Sequence, residues 1–209
     1  MPTKQGPLTA ALRSNGFDVD VVEDATRDDM ARAVARLKAR IKPDSVVMLF
    51  FGGYGVQSGR ESYMIPVDAT IWRESDVRRH GISIQSVLGM IAGQGARARL
   101  AVIDASRRNP YERRFRAFSH GLAPIAAPDN ALILTSATPG KVADDSGSAN
   151  SVLMSELLAN LNAQAAGVEA VFNKTRVAIS RASEGEQVPS VSSSLLEDVS
   201  FATAEKAGS

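Results

Sequence analysis

Apolar and polar residues alternate along this chain in two rhythms, and the switches between them outline a series of helices and strands. Leu8 to Ser14 has helical spacing and ends at Asn15-Gly16, a pair suited to the left-handed residue that stops a helix. Phe17 to Val22 alternates apolar with acidic residues, which predicts a half-buried strand. Thr26 then precedes Arg27, Asp28 and Asp29, a helix start whose carboxylates complement the helix dipole. Met30, Val34, Leu37 and Ile41 continue that helix as one apolar stripe.

After the break at Lys42-Pro43-Asp44, Ser45 to Phe51 is an uninterrupted apolar run, as in a strand buried on both faces, and it ends in Gly52-Gly53. Ile82 to Met90 predicts an amphipathic helix, closed by Gly93, Gly95 and a turn with Arg97 and Arg99. Leu100 to Asp104 and Ala131 to Thr135 predict two more buried strands, and Val152 to Leu161 and Val168 to Ala182 two more helices. Strands alternating with helices predict a mainly parallel, doubly wound α/β sheet. The sequence has no internal repeat or heptad array. Asp144 to Ala149 is expected to be a mobile internal loop, and the tail from Ala202 to be frayed.

Composition narrows the picture. With 209 residues, 44% of them hydrophobic, the chain can bury one substantial core, so a single domain is expected. Twenty-four basic against 23 acidic residues leave a net charge of +1, which supplies no global field for nucleic acid or an anionic membrane. The start lacks a secretory profile and no apolar run is long enough to span a bilayer, so a soluble cytoplasmic protein is expected. The absence of cysteine excludes disulfides, thiolate nucleophiles and Cys-ligated zinc, and two histidines argue against a His-based metal site. No metal or cofactor is expected.

Chemistry is sought at two strand ends, Phe50 to Gly55 (FFGGYG) and Asp104 to Tyr111 (DASRRNPY). Adjacent parallel strands deliver their carboxyl ends to one edge, where ligands usually bind. Alone, each string is an ordinary loop: the glycine-rich one lacks the Lys-Ser/Thr of a phosphate-binding loop.

Together they point further. FFGGYG is followed by Val56-Gln57, then Tyr63-Met64-Ile65-Pro66-Val67-Asp68-Ala69. Asp76-Val77, Asp104-Ala105-Ser106-Arg107, Asn109-Pro110, Gly121-Leu122-Ala123, Pro139-Gly140, Asn150-Ser151 and Ser193-Ser194-Leu195 come after, in order. From about Leu8 to Phe201 the chain resembles bacterial caspase-like proteins of the metacaspase and orthocaspase group, whose motifs read YSGHGVQ, IPVDA and DACR. The resemblance implies a three-layer αβα sandwich over residues 1–201. A p20-like part would run to about residue 140 and a p10-like part from about 141, with a disordered tail at 202–209.

In such proteins a histidine and a cysteine on the two strand ends form the catalytic dyad, and here those positions hold Tyr54 and Ser106. A serine hydroxyl needs a general base, and a phenol, protonated at neutral pH, suits that role poorly. The expectation is a pseudoenzyme with a closed or narrowed cleft, Tyr54 hydrogen-bonded to Ser106. An atypical serine hydrolase using Ser106 with another base is the alternative. Asp104 would be a remnant of an acidic substrate pocket beside Gly52 and Gly53, with Gly52 standing where the motif has serine. Lys4 falls where another carboxylate is expected. His80 and His120 read as solvated, and Arg107, Arg108, Arg113, Arg114 and Arg116 as a solvated basic loop. Calcium through Asp144-Asp145 is too sparse to expect.

Relatives begin with an apolar strand of the type RVALVIGN, which is missing here and would lie inside the sheet. Either the sequence is truncated, the sheet closes without that strand, or another chain supplies the pairing. A homodimer through a sheet edge is expected. The further partners implied are a target protein or an active caspase-like relative, in a programmed-cell-death context.

Overall fold

A computed structural model of the protein describes residues 6–104, 125, 129–135, 152–162, 167–185, 189–196 and 199. Helix α1 (Gly6–Ser14) is stopped by Gly16 at φ 82°, the left-handed turn foreseen at Asn15-Gly16. Helix α2 (Arg27–Arg40) starts at a reciprocal cap: the Thr26 hydroxyl accepts from the Asp29 N–H, and the Asp29 carboxylate accepts from the Thr26 N–H, both at 3.1 Å. Hydrogen bonding from the Thr26 side chain, and then from its N–H, holds the Asp29 carboxyl below its ordinary value.

Strand β1 (Val46–Gly52) follows, then a hairpin of β2 (Gly55–Ser58) and β3 (Glu61–Met64), helix α3 (Glu74–His80), the short β4 (Ile82–Ser83) and helix α4 (Ile84–Gly93). Strand β5 (Ala98–Asp104), β6 (Ala131–Thr135), helices α5 (Val152–Asn162) and α6 (Val168–Ala182) and β7 (Ser190–Ser193) complete the order. The main sheet runs β1-β5-β6-β7, parallel except for antiparallel β7, and a small antiparallel sheet runs β2-β3-β4.

Two cores sandwich the main sheet. On one face, Leu8 and Leu12 of α1, Leu153, Leu157 and Leu161 of α5, and Phe172 and Ile179 of α6 pack on Leu100, Val102, Leu132 and Leu134. On the other, Ile84, Leu88 and Ile91 of α4, with the half-buried stripe Met30, Val34, Leu37 and Ile41 of α2, pack on Ala101, Ile103 and Ile133. The predicted three-layer αβα architecture with a mainly parallel sheet is what the chain adopts. Every residue of β5 and β6 is buried.

Three local expectations change. Phe17 to Val22 forms no strand, although Phe17 and Val19 still pack inward and Asp18 and Asp20 face outward. No neighbouring strand offers it a ladder, because among the described residues no strand precedes Val46. Strand β1, expected to be buried on both faces, is an edge strand and only half-buried along most of its length. The helix expected from Ile82 begins two residues later, because Ile82 and Ser83 pair with Met64 and Tyr63 and the Ser83 hydroxyl caps α4. The loop at Asp144 to Ala149 and the tail from Ala202 lie outside the described residues.

Arg99 is a buried strut. It is 5% exposed, and its guanidinium donates to the Leu88 carbonyl at 3.1 Å and to the Asp129 carbonyl, joining α4 to the turn that enters β6. Burial lowers its pKa.

Candidate functional site

The parallel ladder brings the two strand ends together. Strands β1 and β5 stay in register up to the pair Gly52 and Asp104, and the Gly53 N–H donates to the Asp104 carbonyl at 3.2 Å. Tyr54 and Ser106 therefore follow neighbouring positions, each by two residues. This is the edge at which an open parallel sheet builds its sites.

The glycines at this edge are not equivalent. A Cβ on Gly53 would sit 3.2 Å from the Phe51 ring, so a larger residue must displace that ring. A Cβ on Gly52 would meet only the Phe50 ring, at an ordinary 3.5 Å. Packing thus favours glycine at 53 and leaves room for serine at 52. Asp104 is 5% exposed at the carboxyl end of β5.

Tyr54 is half-buried, and its ring packs against a satellite core made of Val56, Tyr63, Ile65, Ala69, Ile71 and Val77. Its carbonyl accepts from the Ile65 N–H at 2.9 Å, fixing the main chain between the two sheets. Its hydroxyl makes no hydrogen bond to any described residue. Ser106 and Lys4 lie outside the described residues, and with them the expected Tyr54–Ser106 hydrogen bond and the narrowed cleft. The same holds for His120, for Arg107, Arg108, Arg113, Arg114 and Arg116, and for Asp144-Asp145.

The satellite core was not apparent from hydrophobic periodicity. The hairpin turns at Gly59, φ 64°, and the Ser58 hydroxyl donates to Glu74 at 3.0 Å, pinning the hairpin to α3. The Tyr63 hydroxyl donates to Glu61 at 2.9 Å, and burial, then that neighbouring carboxylate, raises its pKa. Asp76 accepts from the Trp72 and Arg73 N–H groups at 3.0 and 2.9 Å, which holds its carboxyl below the ordinary value. The Ser58-Gly59-Arg60 turn between GVQS and ESYM was the available signal. His80 is half-buried in the last turn of α3, where a basic group complements the helix dipole.

The described strand ends thus present a phenol, a buried carboxylate and two glycines, with neither an imidazole nor an amine among Gly52 to Gly55. Among the described residues no group of three or more His, Cys, Asp or Glu side chains could hold a metal ion, and no helix is long and apolar enough to cross a membrane. A family model described as the caspase domain matches residues 6–200, which bears out the resemblance at the level of the family. No curated protein matches the chain.

Proposed function

The chain belongs to the caspase-domain family, matched over residues 6–200, and from that membership we propose that it is a catalytically silent member, a pseudoprotease that acts as a protein-binding or regulatory module. The single observation that carries this reading is Tyr54: the strand end that would bear a histidine base bears a phenol, whose ring is committed to the satellite core. A phenol that stays protonated at neutral pH takes no proton from a serine hydroxyl. Ser106 lacks the thiolate that makes the family nucleophile reactive without strong base assistance.

Two further changes support the reading. Gly52 removes a hydroxyl from the edge although the backbone has room for it. Lys4 would place a cation where an acidic pocket for a basic substrate residue is expected. Asp104 then serves as a structural acceptor at a strand end. The partner is a target protein or an active caspase-like relative.

The test is direct. The purified chain should hydrolyse no peptide after Arg or Lys, and a fluorophosphonate probe should leave it unlabelled. A label that Ser106→Ala abolishes would overturn this reading in favour of a serine hydrolase. The double variant Tyr54→His with Ser106→Cys asks where the silence resides: cleavage after basic residues would assign it to those two side chains alone.

A further inference from the structure

Five large apolar side chains among the described residues are exposed, and three of them fall on two segments that lie side by side. Trp72 is 63% exposed, Val67 58% and Val21 37%. The Val67 N–H donates to the Ala25 carbonyl at 3.0 Å, and the Arg27 N–H donates to the Asp68 carboxylate at 2.9 Å, which stitches the loop after β3 to the start of α2. Ile65, Ala69 and Ile71 anchor the same loop in the satellite core, and the Asp76 carboxylate accepts from the Trp72 N–H at 3.0 Å. The indole is thus displayed on a fixed main chain, so little freedom is lost when something covers it.

The face is acidic. Val21 to Asp29 and Ile65 to Arg73 hold five carboxylates against two arginines, a local charge of −3 in a chain whose net charge is +1. Glu23, Asp24, Asp28 and Asp68 are exposed, and none of them makes an ion pair with a described residue. Among the described residues no three carboxylates converge closely enough to hold a metal ion, so the charge is spread over a surface rather than focused on a point.

We propose that this face docks a lysine- or arginine-bearing segment of a partner protein, with Trp72 and Val67 as its apolar anchors. Charge selects the class of partner. Nucleic acid and anionic lipid are repelled, whereas cations spaced along a peptide match carboxylates spaced along two segments. The indole adds the attraction of its ring for a cation, and tryptophan is among the residues that dominate binding at interfaces. A symmetric pair of chains is opposed, because it would set the same negative face against itself. The bonds that shape the face all lie between Ala25 and Asp76, so its form does not depend on where the chain begins or ends.

The inference rests on the reading of the chain as a protein-binding module and gives that module a place and a partner chemistry. The silence of Tyr54 and Ser106 is tested separately, by peptide cleavage and fluorophosphonate labelling, and stands whether or not this face binds.

Trp72 is the only tryptophan in the chain, so its fluorescence reports this face directly. In the dilute chain it should emit as a solvated indole. Titration with a lysine/leucine peptide should shift the emission to the blue and saturate, with affinity falling about tenfold or more as salt rises from about 0.05 to about 0.5 M. A glutamate/leucine peptide of the same length should give no shift. The triple variant Glu23→Gln, Asp24→Asn, Asp28→Asn keeps the carboxylates that bond the main chain, Asp29 and Asp68, and should bind the lysine/leucine peptide about tenfold more weakly. Trp72→Ala, followed by the anisotropy of a dye-labelled peptide because the reporter is gone, should lose most of the binding while melting like the parent. Emission that is already blue in the dilute chain would assign the cover to the chain itself, and emission that shifts with chain concentration would assign it to a second copy. Either result, or the absence of a saturable shift, or equal binding of the glutamate peptide or by the triple variant, would overturn the proposal.

Discussion

Two glycine-to-alanine substitutions should move stability in opposite directions. Gly81 ends α3, with its N–H bonded to the Val77 carbonyl at 2.8 Å and its backbone in an extended conformation open to any residue. Space is what demands glycine: a Cβ there would lie 2.6 Å from the Val77 carbonyl oxygen and 3.0 Å from the Tyr63 Cβ. Both neighbours are rigid, one backbone and one the root of a buried ring, so α3 must move off β3 by several tenths of an ångström. Overpacking of this kind costs about 1–3 kcal/mol, and in a chain of this length each kcal/mol lowers the melting temperature by about 2–4 °C. Gly81→Ala should therefore melt roughly 2–12 °C lower. Gly89 lies inside α4, exposed, with nothing within 4 Å of its added Cβ, and Gly89→Ala should stabilise by about 0.5–1 kcal/mol through helix propensity. Thermal unfolding followed by circular dichroism measures both. A Gly81→Ala protein that melts at or above the parent temperature would refute the close packing of α3 on β3.

Arg99→Ala should cost about 2–4 kcal/mol by urea unfolding, from lost packing and two carbonyls deprived of a donor, whereas Arg99→Met should recover at least half, because its side chain refills the buried space that alanine leaves empty. A Met variant as unstable as the Ala variant would show that the carbonyl bonds dominate. Asp76 has its carboxyl held below the ordinary value by two backbone N–H groups, so its contribution is full above about pH 4 and is lost as pH falls through the depressed native pKa. The stability gap between the parent and Asp76→Asn should therefore shrink as urea titrations move from pH 5 to below pH 3, and a constant gap would contradict this.

Strands β1, β5 and β6 of the main sheet were legible because they are apolar runs whose polar residues lie at or next to their ends, and Ala131 to Thr135 and Val168 to Ala182 match the observed bounds, whereas β7, three serines and a valine, was not. Strand pairing was not legible. Phe17 to Val22 has a strand's alternation and lacks a ladder, since hydrogen bonding depends on a neighbour that local pattern does not reveal. The small sheet escaped for another reason: its strands are four residues or fewer, and their apolar positions mix with serine and glutamate that pair with Glu74, Gln85 and Tyr63. At the candidate site the adjacency of the two strand ends was expected from parallel pairing, and the register of Gly52 with Asp104 provides it. The destination of the Tyr54 ring was not, because the satellite core that receives it forms only when α3 closes over the hairpin.

That destination bears on why catalysis and fold can part company at this position. The bonds that place residue 54, Gly53 N–H to Asp104 and Ile65 N–H to the Tyr54 carbonyl, are made by main chain and do not depend on the side chain. The side chain is free to change without unmaking the edge. A tyrosine buries about 150–250 Å² when fully enclosed, so a half-buried ring contributes on the order of 2–3 kcal/mol. Among the described residues the satellite core has six buried members, and that share is large. A histidine in the same place is smaller and more polar, and it fills less of the cluster. Tyr54→His alone should therefore destabilise the chain by about 1–2 kcal/mol whether or not activity returns. Urea unfolding of the single variant, carried out before any cleavage assay, separates this cost from the chemistry. A histidine variant as stable as the parent would mean that the ring adds nothing to the core, and Tyr54 would then be a replacement without a structural role.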